Sequence, residues 1–136
     1  LYYMNAIVPM LVAQQLVPFL NKQQPTVFSA LTARVGSISD NGLGGWYGYR
    51  ASKSAAHMLL KTLSIELKRK LPKLAVISLH PGTVDTSLSA PFQARVPTGK
   101  LFSPQQSAGY LWQVVQQVSA EDSGKIFAWD GTEITP

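Results

Sequence analysis

Cysteine is absent from the sequence. That excludes a disulfide scaffold, a Cys-ligated zinc and thiol catalysis together. Histidine is scarce, with only His57 and His80, too few for a His-rich metal centre, so no metal site is expected. Charge is scarce as well: 14% of residues are charged against 46% apolar, a balance that argues against intrinsic disorder. An uninterrupted hydrophobic run is also missing. The first twenty residues are apolar, but Asn5, Gln14 and Gln15 break the stretch and no Lys or Arg precedes it. A membrane span and a secretory signal are thereby disfavoured, no membrane partner is expected, and a cytoplasmic location is the default.

What charge there is leans positive, 12 Lys/Arg against 7 Asp/Glu, for a net +5 over 136 residues. Such a balance suits a phosphate-bearing partner without specifying which. The densest basic run, Lys68, Arg69, Lys70 and Lys73, falls where a helical pattern ends, and cations there complement the helix dipole. No aromatic side chains interleave with it, so a nucleic-acid surface is not expected.

Apolar spacing predicts a helix over residues 1–20, with Pro9 costing it one hydrogen bond. A short strand follows at Thr26–Leu31, then a loop carrying Gly36, Gly42, Gly44 and Gly45 and ending in Trp46 and Tyr47. Ala51, Ala55, Leu59, Leu63 and Leu67 mark a second helix over about 48–70, closed by Pro72. Leu74–Leu79 reads as a strand covered on both faces. Residues 83–99 read as irregular. Ser103-Pro104 opens a third helix reaching about Val118, with Trp112 expected in its core face, and a third strand is expected at Lys125–Trp129 before a turn at Asp130-Gly131. Helix and strand alternate, which is the signature of an α/β fold with a parallel sheet.

The chemistry concentrates in Tyr49-Arg50-Ala51-Ser52-Lys53. A spacing of four places Tyr49 and Lys53 on one helical face. An ammonium near a phenol favours the phenolate, and a tyrosine so tuned can exchange a proton with an alcohol or carbonyl oxygen. Tyr47 and Trp46 read as packing residues, although Trp46 is also placed to line a pocket. His80 reads as a strand-end residue, and His57 as facing a partner helix.

Three segments together resemble the short-chain dehydrogenase/reductase family, in its C-factor-like or carbonyl-reductase-like members. Asn5 with Pro9 resembles the family's catalytic-asparagine helix. The segment Arg34-Val35-Gly36-Ser37-Ile38, followed by Gly44-Gly45-Trp46-Tyr47-Gly48-Tyr49-Arg50-Ala51-Ser52-Lys53, resembles its catalytic segment. Pro81-Gly82-Thr83-Val84-Asp85-Thr86 resembles the turn that contacts the nicotinamide end of the cofactor. The resemblance implies a partial Rossmann-like, doubly wound parallel sheet and NAD(P)-dependent carbonyl/alcohol interconversion of a small-molecule substrate, with NADP or NAD as cofactor. Tyr49 would be the acid/base, Lys53 would tune it and reach the nicotinamide ribose, and Asn5 would hold a water through its main chain. Tyr49, Lys53, Pro81, Gly82, Thr83, Val84 and Thr86 would contact the cofactor.

Two departures from the family pattern stand out. The family's substrate-polarising serine aligns with Ala33, which leaves Thr32 and Ser37 as candidate hydroxyls. The Gly-rich turn that would seat a pyrophosphate is not found. Residues 1–136 are therefore read as the C-terminal portion of a single domain, without its N-terminal cofactor-binding half. A homodimer or homotetramer is the expected assembly. The competing reading is a truncated, non-catalytic interaction protein that self-associates through helices 1–20 and 48–70.

Overall fold

A computed structural model describes residues 1–136. Four strands form the main sheet in the order β1–β2–β5–β6: β1 (Thr26–Leu31), β2 (Leu74–His80), β5 (Ile126–Ala128) and β6 (Glu133–Ile134). The first three run parallel, with Val27 beside Ala75 and Leu79 beside Phe127, while β6 returns antiparallel. A separate parallel pair, β3 (Thr83–Val84) and β4 (Leu101–Phe102), closes the base of the 85–100 loop. Three strands were expected from sequence. The additional ones are two-residue pairings, too short to leave a periodicity, and two of them lie at the ends of a segment expected to be irregular.

The helices divide between the two faces of the sheet. Helix α1 (Val8–Leu16) and α2 (Tyr47–Lys68) cover one face, where Leu60, Leu71, Leu74 and Val76 pack with Met10, Phe28 and Leu63. Helix α3 (Pro104–Gln117) covers the other, where Ala75, Ile77 and Leu79 meet Val114, Phe127 and Leu111. The alternation along β2 explains this: every residue from Leu74 to Leu79 is buried, as a strand flanked by helices on both sides requires. The sheet is thus doubly wound, as anticipated. β1 is an edge strand, and its Ser29 and Leu31 are exposed on the α3 side.

Local sequence sets the helix ends. Ser103 accepts from the Gln106 N–H while Gln106 reaches back to the Ser103 N–H, a capping box with Pro104 in the first turn. Before α1, residues Tyr3–Ile7 form a π-helical turn. Pro9 has no N–H to offer the carbonyl of Asn5 four residues back, and the widened turn sits where that bond would have been. Trp112 departs from expectation, being 61% exposed. The inward face of α3 is instead built from Ser107, Leu111, Val114 and Val115, so the indole falls off the buried stripe. His57 is buried within this chain instead of facing a partner helix.

Candidate active site

The candidate residues gather at the C-terminal ends of β1 and β2, where open α/β sheets form their ligand crevice. β1 delivers Thr32 and Ala33 and then a 3-10 turn at Arg34–Gly36. β2 delivers His80 and the Pro81-Gly82 turn into β3. The first turns of α2 lie across these ends and carry Tyr49 and Lys53.

Close approach of backbone fixes the two segments. A Cβ on Gly36 would stand 2.7 Å from the Lys53 carbonyl carbon and 2.8 Å from its Cβ. Only glycine lets the 3-10 turn press against α2 at Lys53, and Ser54 Oγ seals the contact by donating to the Gly36 carbonyl at 2.6 Å. Gly82 has φ +76°, and a Cβ there would lie 2.7 Å from the ring of Phe102. The turn is held from below by Phe102 and Trp129, whose rings meet edge to face at 4.6 Å, and from α3 by Ser107 Oγ donating to the Pro81 carbonyl at 2.9 Å.

Lys53 is 8% exposed, and its Nζ donates to the Leu31 carbonyl at the end of β1 at 3.3 Å. The ammonium lies 5.8 Å from the centroid of the Tyr49 ring. Burial lowers the Lys53 pKa from its ordinary value, and burial raises that of Tyr49. The sequence led us to expect a tyrosine lowered by its lysine. Here Lys53 points its charge at a main-chain carbonyl and the ring face, so desolvation decides the direction for the phenol.

Asn5 reaches the same place from the π-turn. Its Nδ2 donates to Ser52 Oγ at 2.9 Å, and Ser52 Oγ donates to the Tyr49 carbonyl at 2.8 Å. The two candidate hydroxyls are engaged elsewhere. Thr32 is buried, its N–H bonded to the Leu79 carbonyl at 2.8 Å and its Oγ1 3.5 Å from the same oxygen. Ser37 Oγ donates to the Thr135 carbonyl and accepts from the Asp40 N–H. Thr83 and Val84 pair with β4, and the Thr86 carbonyl accepts from Ser89 and Ala90 to start the 3-10 helix at Ala90–Arg95.

Several contributors were not singled out from sequence. Arg50, inside the Tyr-x-x-x-Lys segment, donates to the carbonyls of Val35, Gly44 and Gly45. Its targets are main-chain atoms of a glycine loop, which leave no side-chain signal. Ser52 and Gly36 likewise act through contacts across 47 and 17 residues of chain. His57 follows Lys53 by one turn on α2, and His80 ends β2. Both rings of His57 and His80 carry buried nitrogens without partners, and burial pushes each pKa down to about 4.

Comparison with known proteins agrees with this architecture. A family model described as short chain dehydrogenase matches residues 2–96. The C-signal of Myxococcus xanthus is 32% identical over 133 residues, spanning 98% of this chain and 75% of that protein. A 1-hydroxy-2-glutathionyl-2-methyl-3-butene dehydrogenase of Rhodococcus sp. (strain AD45) is 33% identical over 128 residues, spanning 94% of this chain and 54% of that protein. Among solved structures, the carbonyl reductase Sniffer of D. melanogaster superposes with a TM-score of 0.84 at 27% identity, covering 99% of this chain and 55% of that one. An NADPH-bound carbonyl reductase from chicken fatty liver gives 0.83 at 26%, with the same coverage. The chain thus spans about half the length of most of these relatives and three quarters of the C-signal.

Proposed function

The chain belongs to the short chain dehydrogenase family, and from that premise we propose that it carries the proton-transfer half of an NAD(P)H-dependent carbonyl reductase. The observation that carries the reading is the joint placement of Tyr49 and Lys53 at the strand ends, with the Lys53 ammonium buried and 5.8 Å from the phenol ring. The residues fit the nicotinamide nucleoside end of such a cofactor. Lys53 is a buried cation with donors to spare, and Gly82, where a Cβ would strike Phe102 and Trp129, lets the main chain of the Pro81-Gly82 turn lie close against those rings at the strand ends. When bound, a reduced nicotinamide supplies the hydride.

The protein's share is orientation and the proton. Tyr49 carries a phenolic proton that it can donate to a carbonyl oxygen in reduction and, as phenolate, take back in the reverse reaction. Burial alone raises its pKa, so stabilising the phenolate falls to Lys53. Lys53 anchors the end of β1 and places positive charge beside the phenolate left behind. Pro9 offers no N–H to the Asn5 carbonyl, and on this reading that oxygen holds a water that returns the proton. On this reading residues 1–136 are the C-terminal portion of one domain, and the NADPH bound to the similar chicken carbonyl reductase makes NADPH the first cofactor to test.

The test is a fluorescence titration of NADPH and NADH against the 136-residue chain, followed by carbonyl turnover with Tyr49→Phe as control. Saturable micromolar binding, and turnover that Tyr49→Phe abolishes, are expected. No binding up to millimolar nucleotide would overturn the reading for this chain. A second reading, self-association through α1 and α2, draws on the exposed row Tyr3, Ile7 and Leu11 on the first helix and Met58 and Ile65 on α2. Light scattering decides it: a monomer at high micromolar concentration removes that reading.

A further inference from the structure

We propose that Trp46 and Phe92 form an aromatic clamp beside Tyr49 that selects carbonyl compounds bearing a flat aryl or conjugated group over saturated ones of equal size. The proposal rests on the carbonyl-reductase reading above and adds to it the substrate class.

The first observation is backbone strain. Trp46 is the only non-glycine residue with positive φ, at φ +50° and ψ 41°, following Gly44 at φ +65° and Gly45 at φ +71°. A bulky residue pays for the left-handed region, and glycine, already used twice in this loop, would remove that strain at once. The strained conformation persists because Arg50 enforces it. Its guanidinium donates to the carbonyls of Gly44, Gly45 and Val35 at 3.0 to 3.2 Å and lies 5.6 Å from the centroid of the Trp46 ring. The loop is thus built to present this indole, which remains 49% exposed.

The second observation is what the indole faces. Trp46 is the residue that leads into α2, three positions before Tyr49, so the strained turn holds its indole at the same end of the helix as the candidate acid. From the opposite direction the 85–100 loop brings in Phe92, which meets Trp46 edge to face at 5.9 Å and 80° and is itself 52% exposed. The 3-10 helix bearing Phe92 is braced within its own loop, by Gln93 donating to Asp85 at 2.8 Å and to Ser89 at 3.0 Å. Two half-exposed rings on independently braced segments present a joint aromatic surface to a third ring. A planar π-system can take up the edge and face contacts that the pair makes with itself, whereas a saturated chain offers bulk alone.

Acetophenone and 2-octanone, methyl ketones of equal carbon number, separate the alternatives. Wild type, Trp46→Gly and Phe92→Leu are compared for kcat/KM with NADPH and, independently of turnover, for ketone binding by saturation-transfer NMR. Trp46→Gly relieves the left-handed strain while deleting the indole, so the lost contacts with Arg50 and Phe92 are offset by the relaxed backbone, and Phe92→Leu tests the second ring with the turn intact. Wild type should prefer acetophenone, and each variant should lower the acetophenone to 2-octanone ratio by about tenfold, mostly in KM. Equal ratios in wild type and variants, or equal binding of the two ketones by wild type, would overturn the clamp. Aryl-selective binding without any turnover would instead overturn the reductase reading and leave the clamp standing.

Discussion

Asn5 and Ser52, 47 residues apart in sequence, share a hydrogen bond of 2.9 Å, and the Ser52 hydroxyl passes it on to the carbonyl of Tyr49. The π-turn before α1 is thereby stitched to the first turn of α2 beneath the candidate acid. Ser52 is 0% exposed, so its hydroxyl has no water to fall back on.

Ser52→Ala should therefore do two things. It removes a buried donor–acceptor link and leaves the Asn5 amide short of a partner, at a cost of about 1–2 kcal/mol in urea denaturation. It also frees the Tyr49 turn, so kcat for carbonyl reduction should fall while the affinity for nucleotide is retained. A variant that loses neither stability nor kcat would show that the link positions nothing.

Gly36→Ala is expected to damage the site through sterics. The new Cβ would meet Lys53 backbone at 2.7 Å and the His57 ring at 2.9 Å, and backbone cannot yield cheaply. A loss of about 1–3 kcal/mol is expected, with nucleotide binding weakened through displacement of Lys53. Gly42→Ala in the same loop meets nothing within 4 Å and serves as the control. Thermal denaturation of the pair measures the difference, and equal melting temperatures would refute the close packing.

Much of this was legible in the sequence, for physical reasons. β1 falls on Thr26–Leu31 as read, and α2 and α3 lie within two residues of their expected ends, because long amphipathic patterns and abrupt prolines leave strong signals. The Tyr49–Lys53 pairing was legible because helical spacing is local. What stayed hidden depends on contacts distant in sequence. Arg50 binds main-chain carbonyls, Gly36 matters for what lies against it, and Trp46 carries strain that no composition records. The direction of the Tyr49 shift was also hidden, since it follows from burial and from where Lys53 spends its hydrogen bond.

The two histidines predict a pH dependence. His57 and His80 have pKa values pushed down from 6.5 to about 4, with burial as the leading cause in both and the charges of Lys53 and Arg34 respectively adding to it. A depressed pKa means the folded state disfavours the proton. Their contribution is therefore complete above pH 6.5 and is lost as pH falls toward 4. The loss is at most about 3 kcal/mol for each. Denaturation midpoints should drop across that window, and His57→Asn should flatten the dependence. A midpoint unchanged between pH 7 and pH 4.5 would contradict the burial of both rings.

The last prediction concerns the missing hydroxyl. The sequence motif leads us to expect Ala33 where the family carries its substrate-polarising serine, and the nearby hydroxyls are engaged: Thr32 is buried against the Leu79 carbonyl, and Ser37 donates to the Thr135 carbonyl. If neither is free to meet a substrate oxygen, the carbonyl is polarised by Tyr49 alone, and a donor restored at position 33 should help most when charge develops on that oxygen. Ala33→Ser should then raise kcat by about tenfold or more with little change in KM, since a single such donor is worth 10² to 10³ where it is built in from the start. Thr32→Val should leave kcat unaltered. The opposite pair of results, no gain from Ala33→Ser and a collapse with Thr32→Val, would assign the role to Thr32. It would mean that the hydroxyl turns away from Leu79 when substrate enters, a bond of 3.5 Å being weak enough to give up.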